Sequence, residues 1–307
     1  DYKHLDPMLG KPVYNTPGNP KSGLNYDATR KASDAVFIQF ANEARARGIH
    51  IIADGVFNHV GDDSIYFDRY EKYPEIGAYE YWAAVYDHVN DDKMTQEAAK
   101  QAVIEGFTGQ VNPATGVNYK YPEDFEFTTW FTIHNEKVQS RDKVSMYKYD
   151  AWWGYDSLPA MDAIEPVEGD VGAIEGTHEW NVKSYRNHVI GFDLSTMTPE
   201  QQQEAMKNTA SQVWNWMGAS GWRLDVAPDV SFGTWEKFRK AVKSQTGLTN
   251  ASGQPIVDPI ILGEEWGVAT HYLLGNQFDS VMNYRFRGAL QSFLTGGNAQ
   301  TMDAALE

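Results

Sequence analysis

One pattern recurs along the chain and limits what it can fold into. An amphipathic helix runs to a glycine, and a short apolar strand follows that ends in charged residues. The first unit has Val36, Phe37, Phe40, Ala41 and Ala44 at helical spacing over residues 34–47. Ser33 is the expected cap and Gly48 the stop, and the strand is I-H-I-I-A-D-G-V-F. The second opens at T-P-E-Q, where Thr198 and Gln201 predict a capping box and Pro199 suits the first helical position. Met206, Ala210, Val213 and Met217 form its buried stripe, Gly218 ends it, and G-W-R-L-D-V follows. The third is a helix over about 235–246 with Trp235, Phe238 and Val242 inward, then Gly247 and P-I-I-L-G-E-E-W. A weaker strand, F-D-S-V-M-N-Y, leads into a helix near 284–294.

Alternating helices and strands predict a parallel sheet, either a barrel wall or a doubly wound sheet. The strands are continuous apolar runs, as expected where both faces are covered. Four are visible, and a closed barrel of this kind has eight. The interval from 60 to 197 breaks the alternation. It is rich in Tyr, Trp, Gly, Pro and Asp, with one polar helix-like patch at 92–105. It is too long for a loop and predicts an inserted subdomain, at the strand end where such folds carry their sites. The chain opens at D-Y-K-H-L-D-P and closes at M-D-A-A-L-E, which is expected of a piece of a longer protein.

The net charge of -16 makes nucleic acid and anionic membrane surfaces poor partners, and a neutral ligand is indifferent to it. No apolar run is long enough to span a bilayer. Without cysteine there are no disulfides or thiolate metal sites. The 10 Trp, 17 Tyr and 14 Phe suit sugar faces, but aromatic side chains mainly fill cores.

The strand ends carry the chemistry. They hold Asp54, Asn58 and His59, then Arg223 and Asp225, then Glu264 and Glu265. In a strand, positions two apart share a face, so Arg223 and Asp225 lie together, opposite Trp222, Leu224 and Val226. Each feature alone has a plain reading: a structural ion pair, a solvated strand end, a hydrogen-bonded histidine. Converging carboxylates repel and cost free energy unless chemistry uses them. Two carboxylates around one bond is the arrangement for glycosidic cleavage. Asp225 would be the nucleophile, held ionised by Arg223, and Glu264 the acid, which needs a raised pKa.

These residues resemble glycoside hydrolase family 13, the α-amylase family. D-G-V-F-N-H looks like its first signature region, G-W-R-L-D-V-A-P-D its second, G-E-E-W its third, and S-L-P-A-M-D (157–162) the short motif of its inserted domain B. F-N-H-V-G-D-D-S-I-Y-F-D-R-Y, G-A-Y-E-Y-W, W-W-G-Y-D-S-L-P and F-D-S-V-M-N-Y-R-F-R resemble the amylopullulanase and neopullulanase branch. The resemblance implies a partial (β/α)8 TIM barrel, about strands three to six. Residues 1–60 and 198–307 belong to the barrel and 61–197 to domain B.

It implies a retaining α-glucan hydrolase, with Asp225 as nucleophile, Glu264 as acid/base and Arg223 supporting the nucleophile. His59 matches a substrate-binding histidine, and Asp54 and Asn58 largely structural members of the first region. Trp266, Asp229, Trp153 and Tyr155 complete the expected sugar contacts, with Trp152 a further aromatic platform. Starch, pullulan or maltooligosaccharides are the implied substrates, cleaved at α-1,4 bonds, with α-1,6 bonds as a further target. Transglycosylation, or non-catalytic glucan binding on the same scaffold, are the alternatives. The chemistry needs no cofactor. A structural calcium ion near Asn58 is a family feature whose ligation Pro228 and Asp229 alter. The family's fourth region, a His-Asp pair carrying a third carboxylate, has no counterpart in these residues. The implied setting is secreted or at the cell surface, and the 307 residues in isolation are expected to be inactive.

Overall fold

The computed structural model describes residues 2–112, 116–161 and 189–306. α1 (Tyr26–Ala46) starts earlier than expected, because the Asn25 side chain accepts the Ala28 N–H and caps it there. Ser33 is therefore not a cap. It lies buried within the helix, its hydroxyl accepting the Lys11 N–H at 3.0 Å. Phe37, Ala41 and Ala44 are buried, with Phe37 edge-on to Trp214 at 4.8 Å. Val36 and Phe40, expected inward, lie off this narrower stripe, and Phe40 is 58% exposed.

β1 (Ala53–Gly55) follows. Next come α2 (Ala78–Asn90), α3 (Gln96–Thr108) and a hairpin of β2 (Ile133–Gln139) and β3 (Ser145–Tyr149). Only α3 corresponds to the expected polar patch. The interval's aromatic residues pack largely on one another: Phe67 meets Tyr79, Phe131 and Tyr149, and Tyr66 stacks on Trp130 at 5.3 Å. This cluster continues into Phe57, Trp222 and Phe238 beside the sheet, so insert and sheet share one core. Residues 113–115 and 162–188 of the interval, including Asp162 of the S-L-P-A-M-D motif, lie outside the described residues.

The second unit is two helices, not one. α4 (Pro199–Asn208) has the expected capping box, the Gln201 N–H and side chain exchanging bonds with Thr198 at 3.3 and 3.0 Å. Thr209 then turns extended, its hydroxyl donating to Gln212 Oε1, and α5 (Ala210–Met217) begins. Gly218, at φ 121°, ends it in a conformation that favours glycine. β4 (Gly221–Leu224) leads to α6 (Phe232–Lys243), which is capped by Ser231 and starts three residues before the expected position. β5 (Ile260–Gly263), β6 (Ser280–Val281), α7 (Tyr284–Leu294) and α8 (Ala299–Leu306) complete the described chain.

The sheet order is β1-β4-β5-β6, and every pair is parallel. Strand order follows chain order without reversal. A doubly wound sheet reverses at a switch point, so this is a run of barrel wall. The register sets Asp54 beside Arg223 and Arg223 beside Leu262, bringing the charged ends into line. Trp222 and Leu224 are buried toward the helices, Trp222 against Phe238 at 5.8 Å and donating to Ser211 O at 3.0 Å. Among the described residues no helix is long and apolar enough to cross a membrane.

Candidate active site

Arg223 joins the three strand ends. Its Nη1 donates to Asp225 Oδ1 at 2.6 Å and to Asp54 Oδ1 at 2.8 Å, and its Nη2 lies 2.7 Å from Glu264 Oε2. Its Nε approaches Met282 Sδ, beyond β6, at 3.5 Å. Arg223 and Asp225 thus share a face, as the alternation predicts. The alternation stops there. Val226, expected in the buried row, is left-handed at φ 44° and ψ 55° and only half buried. Its turn is pinned by Ala227 N–H donating to Glu264 O at 3.0 Å and Asp225 N–H to Gly55 O at 2.9 Å. It aims the Val226 N–H at Glu264 Oε2, 3.1 Å away. A bulky residue at positive φ is a strained site held by its surroundings.

Glu264 is 6% exposed. Besides Arg223 and Val226, it accepts Trp266 Nε1–H at 3.1 Å and the Tyr284 hydroxyl at 2.7 Å, both on Oε1. Burial works to raise its pKa, but the bonds from Trp266, Val226, Tyr284 and Asp225 outweigh it and hold the carboxyl down to about 2. Asp225 goes the other way: burial, aided by the hydrogen bond to Glu264 and its charge, outweighs Arg223 and pushes it up. The sequence reading expects the raised pKa on Glu264, and the structure reverses this. Sequence identifies the two carboxylates but not the donors gathered on one of them. Arg223 is itself desolvated, yet its bonds to Asp54 and Asp225 hold it still further above its usual range.

The second group surrounds His59. Asn58 Nδ2 donates to Asp229 Oδ2 at 3.2 Å, and Trp152 Nε1 donates to the same oxygen at 2.9 Å. His59 Nδ1 lies 2.9 Å from Asn58 Oδ1, and its ring stacks on Trp152 at 4.9 Å with planes 13° apart. Trp152 stacks in turn on Trp153, and Trp153 meets Trp266 edge-on at 6.3 Å. Trp153 is 70% exposed at φ 50° and, with Trp266, Asp229 and Glu264, lines a cleft of about 190 Å³. Glu265 Oε1 accepts the Gly267 N–H and closes a turn.

Tyr155 is not brought to this cleft. Two left-handed residues, Trp153 and Gly154, turn the chain, and Tyr155 lines a separate groove with Arg141, Lys148 and Asp156. The Asn58 carbonyl oxygen faces His59 Nδ1, and among the described residues no three acidic or histidine side chains are grouped to hold a metal. Tyr284 and Met282 were not foreseen as site residues. Their signal was position alone, at the carboxyl end of the weakest strand.

No family model matches the chain. The amylopullulanase of Thermoanaerobacterium saccharolyticum is 32% identical over 318 residues, covering 98% of this chain and 18% of that protein. Neopullulanase 2 of Thermoactinomyces vulgaris is 28% identical over 272 residues, 88% of this chain and 30% of that protein. The chain therefore spans less than a third of the length of these curated relatives. Among solved structures, the cyclic α-maltosyl-(1→6)-maltose hydrolase of Arthrobacter globiformis aligns with all of this chain and 43% of that one. Its TM-score is 0.50 at 19% identity, a likeness of fold. With amylopullulanases aligned along nearly its whole length and a barrel wall that agrees with them, the chain belongs to the α-amylase family, on its amylopullulanase and neopullulanase branch.

Proposed function

We propose that the protein is a retaining α-glucan hydrolase that cleaves α-1,4 bonds, and α-1,6 bonds where its cleft admits them, in starch, pullulan or maltooligosaccharides. One observation carries the reading: Arg223 joins two carboxylates, Asp225 and Glu264, at the ends of adjacent parallel strands. Asp225 is the nucleophile, forming a glycosyl-enzyme ester. Glu264 protonates the departing oxygen, then takes the proton of the attacking water. Residues 61–197 act as domain B and supply Trp152 and Trp153. Trp153 and Trp266 offer faces to sugar rings, and His59, held by Asn58, contacts the sugar at the cleaved bond. Asp54 shares Arg223 with the nucleophile. The chemistry needs no cofactor, and a polymeric substrate favours a secreted or cell-surface protein.

The proton bookkeeping supports this reading. Asp225 Oδ1 and Glu264 Oε2 both lie on the Arg223 guanidinium, at 2.6 and 2.7 Å, and two carboxylates held that close share a proton. Retaining chemistry works with the pair about 5–5.5 Å apart. A sugar entering between them separates the two carboxylates. Arg223 then keeps Asp225 ionised, and the proton passes to Glu264, where the leaving oxygen needs it.

The test separates the two roles in the full-length protein. Asp225→Asn should abolish turnover of both maltooligosaccharides and an α-maltosyl fluoride. Glu264→Gln should abolish the first and spare formation of the ester from the second, because fluoride leaves without an acid. Retained maltooligosaccharide hydrolysis in Asp225→Asn would sink the assignment.

A further inference from the structure

The hydrogen bonds around His59 have a direction that can be read from one end. A carboxylate accepts and cannot donate, and an indole N–H donates and cannot accept. Asp229 Oδ2 receives Trp152 Nε1–H at 2.9 Å and faces the Asn58 amide at 3.2 Å. The Asn58 atom on that side must be its NH2, because a carbonyl oxygen there would face a second acceptor with no proton between them. The amide is thereby oriented, and its carbonyl oxygen points at His59 Nδ1, 2.9 Å away. That oxygen has no proton to give, so the imidazole supplies it.

We propose that Asp229 sets the tautomer of His59: through Asn58 it holds the ring proton on Nδ1 and leaves Nε2 as a hydrogen-bond acceptor for a hydroxyl of the bound α-glucan. The identity of the ligand rests on the functional reading above, and the tautomer does not. A neutral imidazole has one donor and one acceptor nitrogen. His59 is kept neutral by burial, which lowers its pKa against the opposing pull of Asp229. The Trp152 ring, parallel to His59 at 4.9 Å, fixes the plane of the imidazole while its N–H ends on the same Asp229 oxygen. The loop after β4 and the segment after β3 thus meet on one carboxylate. Asp229 acts through Asn58, which makes it a positioning residue.

The test is the ring-nitrogen spectrum of histidine-labelled full-chain protein, with the His59 signals assigned by their loss in His59→Gln. The expected wild-type pattern is a protonated Nδ1 and a bare Nε2. Asp229→Glu should keep it, since a carboxylate remains. Asp229→Asn should shift the ring toward the other tautomer, because a neutral amide can both donate and accept. In the full-length enzyme kcat/KM should then fall about five- to tenfold, the worth of one hydrogen bond. A wild-type ring with its proton on Nε2 overturns the proposal, and so does a wild-type ring pattern in Asp229→Asn. If Asp229→Asn fails to fold, the wild-type and Asp229→Glu spectra decide. An Nδ1-protonated ring in a protein that hydrolyses no glucan would break only the functional reading.

Discussion

Replacing Arg223 by Met removes the cation that three carboxylates share. Its contacts to Asp225, Asp54 and Glu264 are 2.6, 2.8 and 2.7 Å, all charge-assisted. Asp225 already lies above the usual range because burial, with Glu264, outweighs Arg223. Without the guanidinium it rises further. An opposite charge at such range moves a carboxylate by about 1–3 pH units, about 1.4–4 kcal/mol at 1.36 kcal/mol per unit. The proposed nucleophile must be ionised, so a raised pKa costs activity on the acid side and activity recovers as pH rises. In the full-length enzyme, the acid limb of kcat/KM should move to higher pH by about 1–3 units. Arg223→Lys should move it less, since charge remains but the two-pronged geometry does not. The limb reports the Asp225–Glu264 pair rather than one residue. An acid limb unmoved in Arg223→Met would refute the claim that Arg223 keeps the nucleophile charged.

Three further outcomes are expected. A Cβ on Gly221 would lie 2.1 Å from Ile260 O and force β4 from β5, so Gly221→Ala should lose about 3 kcal/mol or more, measured by denaturant unfolding. Glu80 is pushed up from 4.5 to about 7 by burial, then by Glu71 and Asp68. Its folded pKa exceeds the unfolded one, so it contributes stability that is full below about 4.5 and lost as pH rises through about 7. Glu80→Gln should therefore raise Tm at pH 8, by up to about 3 kcal/mol of stability, with the gain vanishing near pH 4.5; a pH-independent Tm difference would contradict this. Trp153→Gly relieves a left-handed backbone at about 1–2 kcal/mol but removes an exposed aromatic face from the cleft. Tm should hold or rise while kcat/KM falls, and unchanged kinetics would remove Trp153 from the binding site.

The strand ends were legible because period-two alternation and parallel pairing act locally. Arg223 beside Asp225, and Asp54 and Glu264 in adjacent strands, follow from residue order alone. The capping box at Thr198 was legible for the same reason. The insert was not. α2 and the hairpin pack on each other through Tyr79 with Tyr149 and Tyr86 with Tyr147, pairs more than 60 residues apart in the chain, and their aromatic residues leave no clear helix or strand period. The break at Thr209 depends on one hydroxyl choosing Gln212. The Glu264 reversal arises because Trp266, Val226 and Tyr284, on different elements, all donate to it. Tyr155 lines a different groove from Trp153 because two consecutive left-handed residues, Trp153 and Gly154, turn the chain between them.

The central claim is that a sugar becomes covalently attached to Asp225. The full-length protein should be incubated with a fluorinated α-glucosyl fluoride that forms the ester quickly and releases it slowly, then digested and mapped by mass. The account predicts one added glycosyl group, on the peptide containing Asp225. A label on another carboxylate, or product released with inverted anomeric configuration, would contradict it.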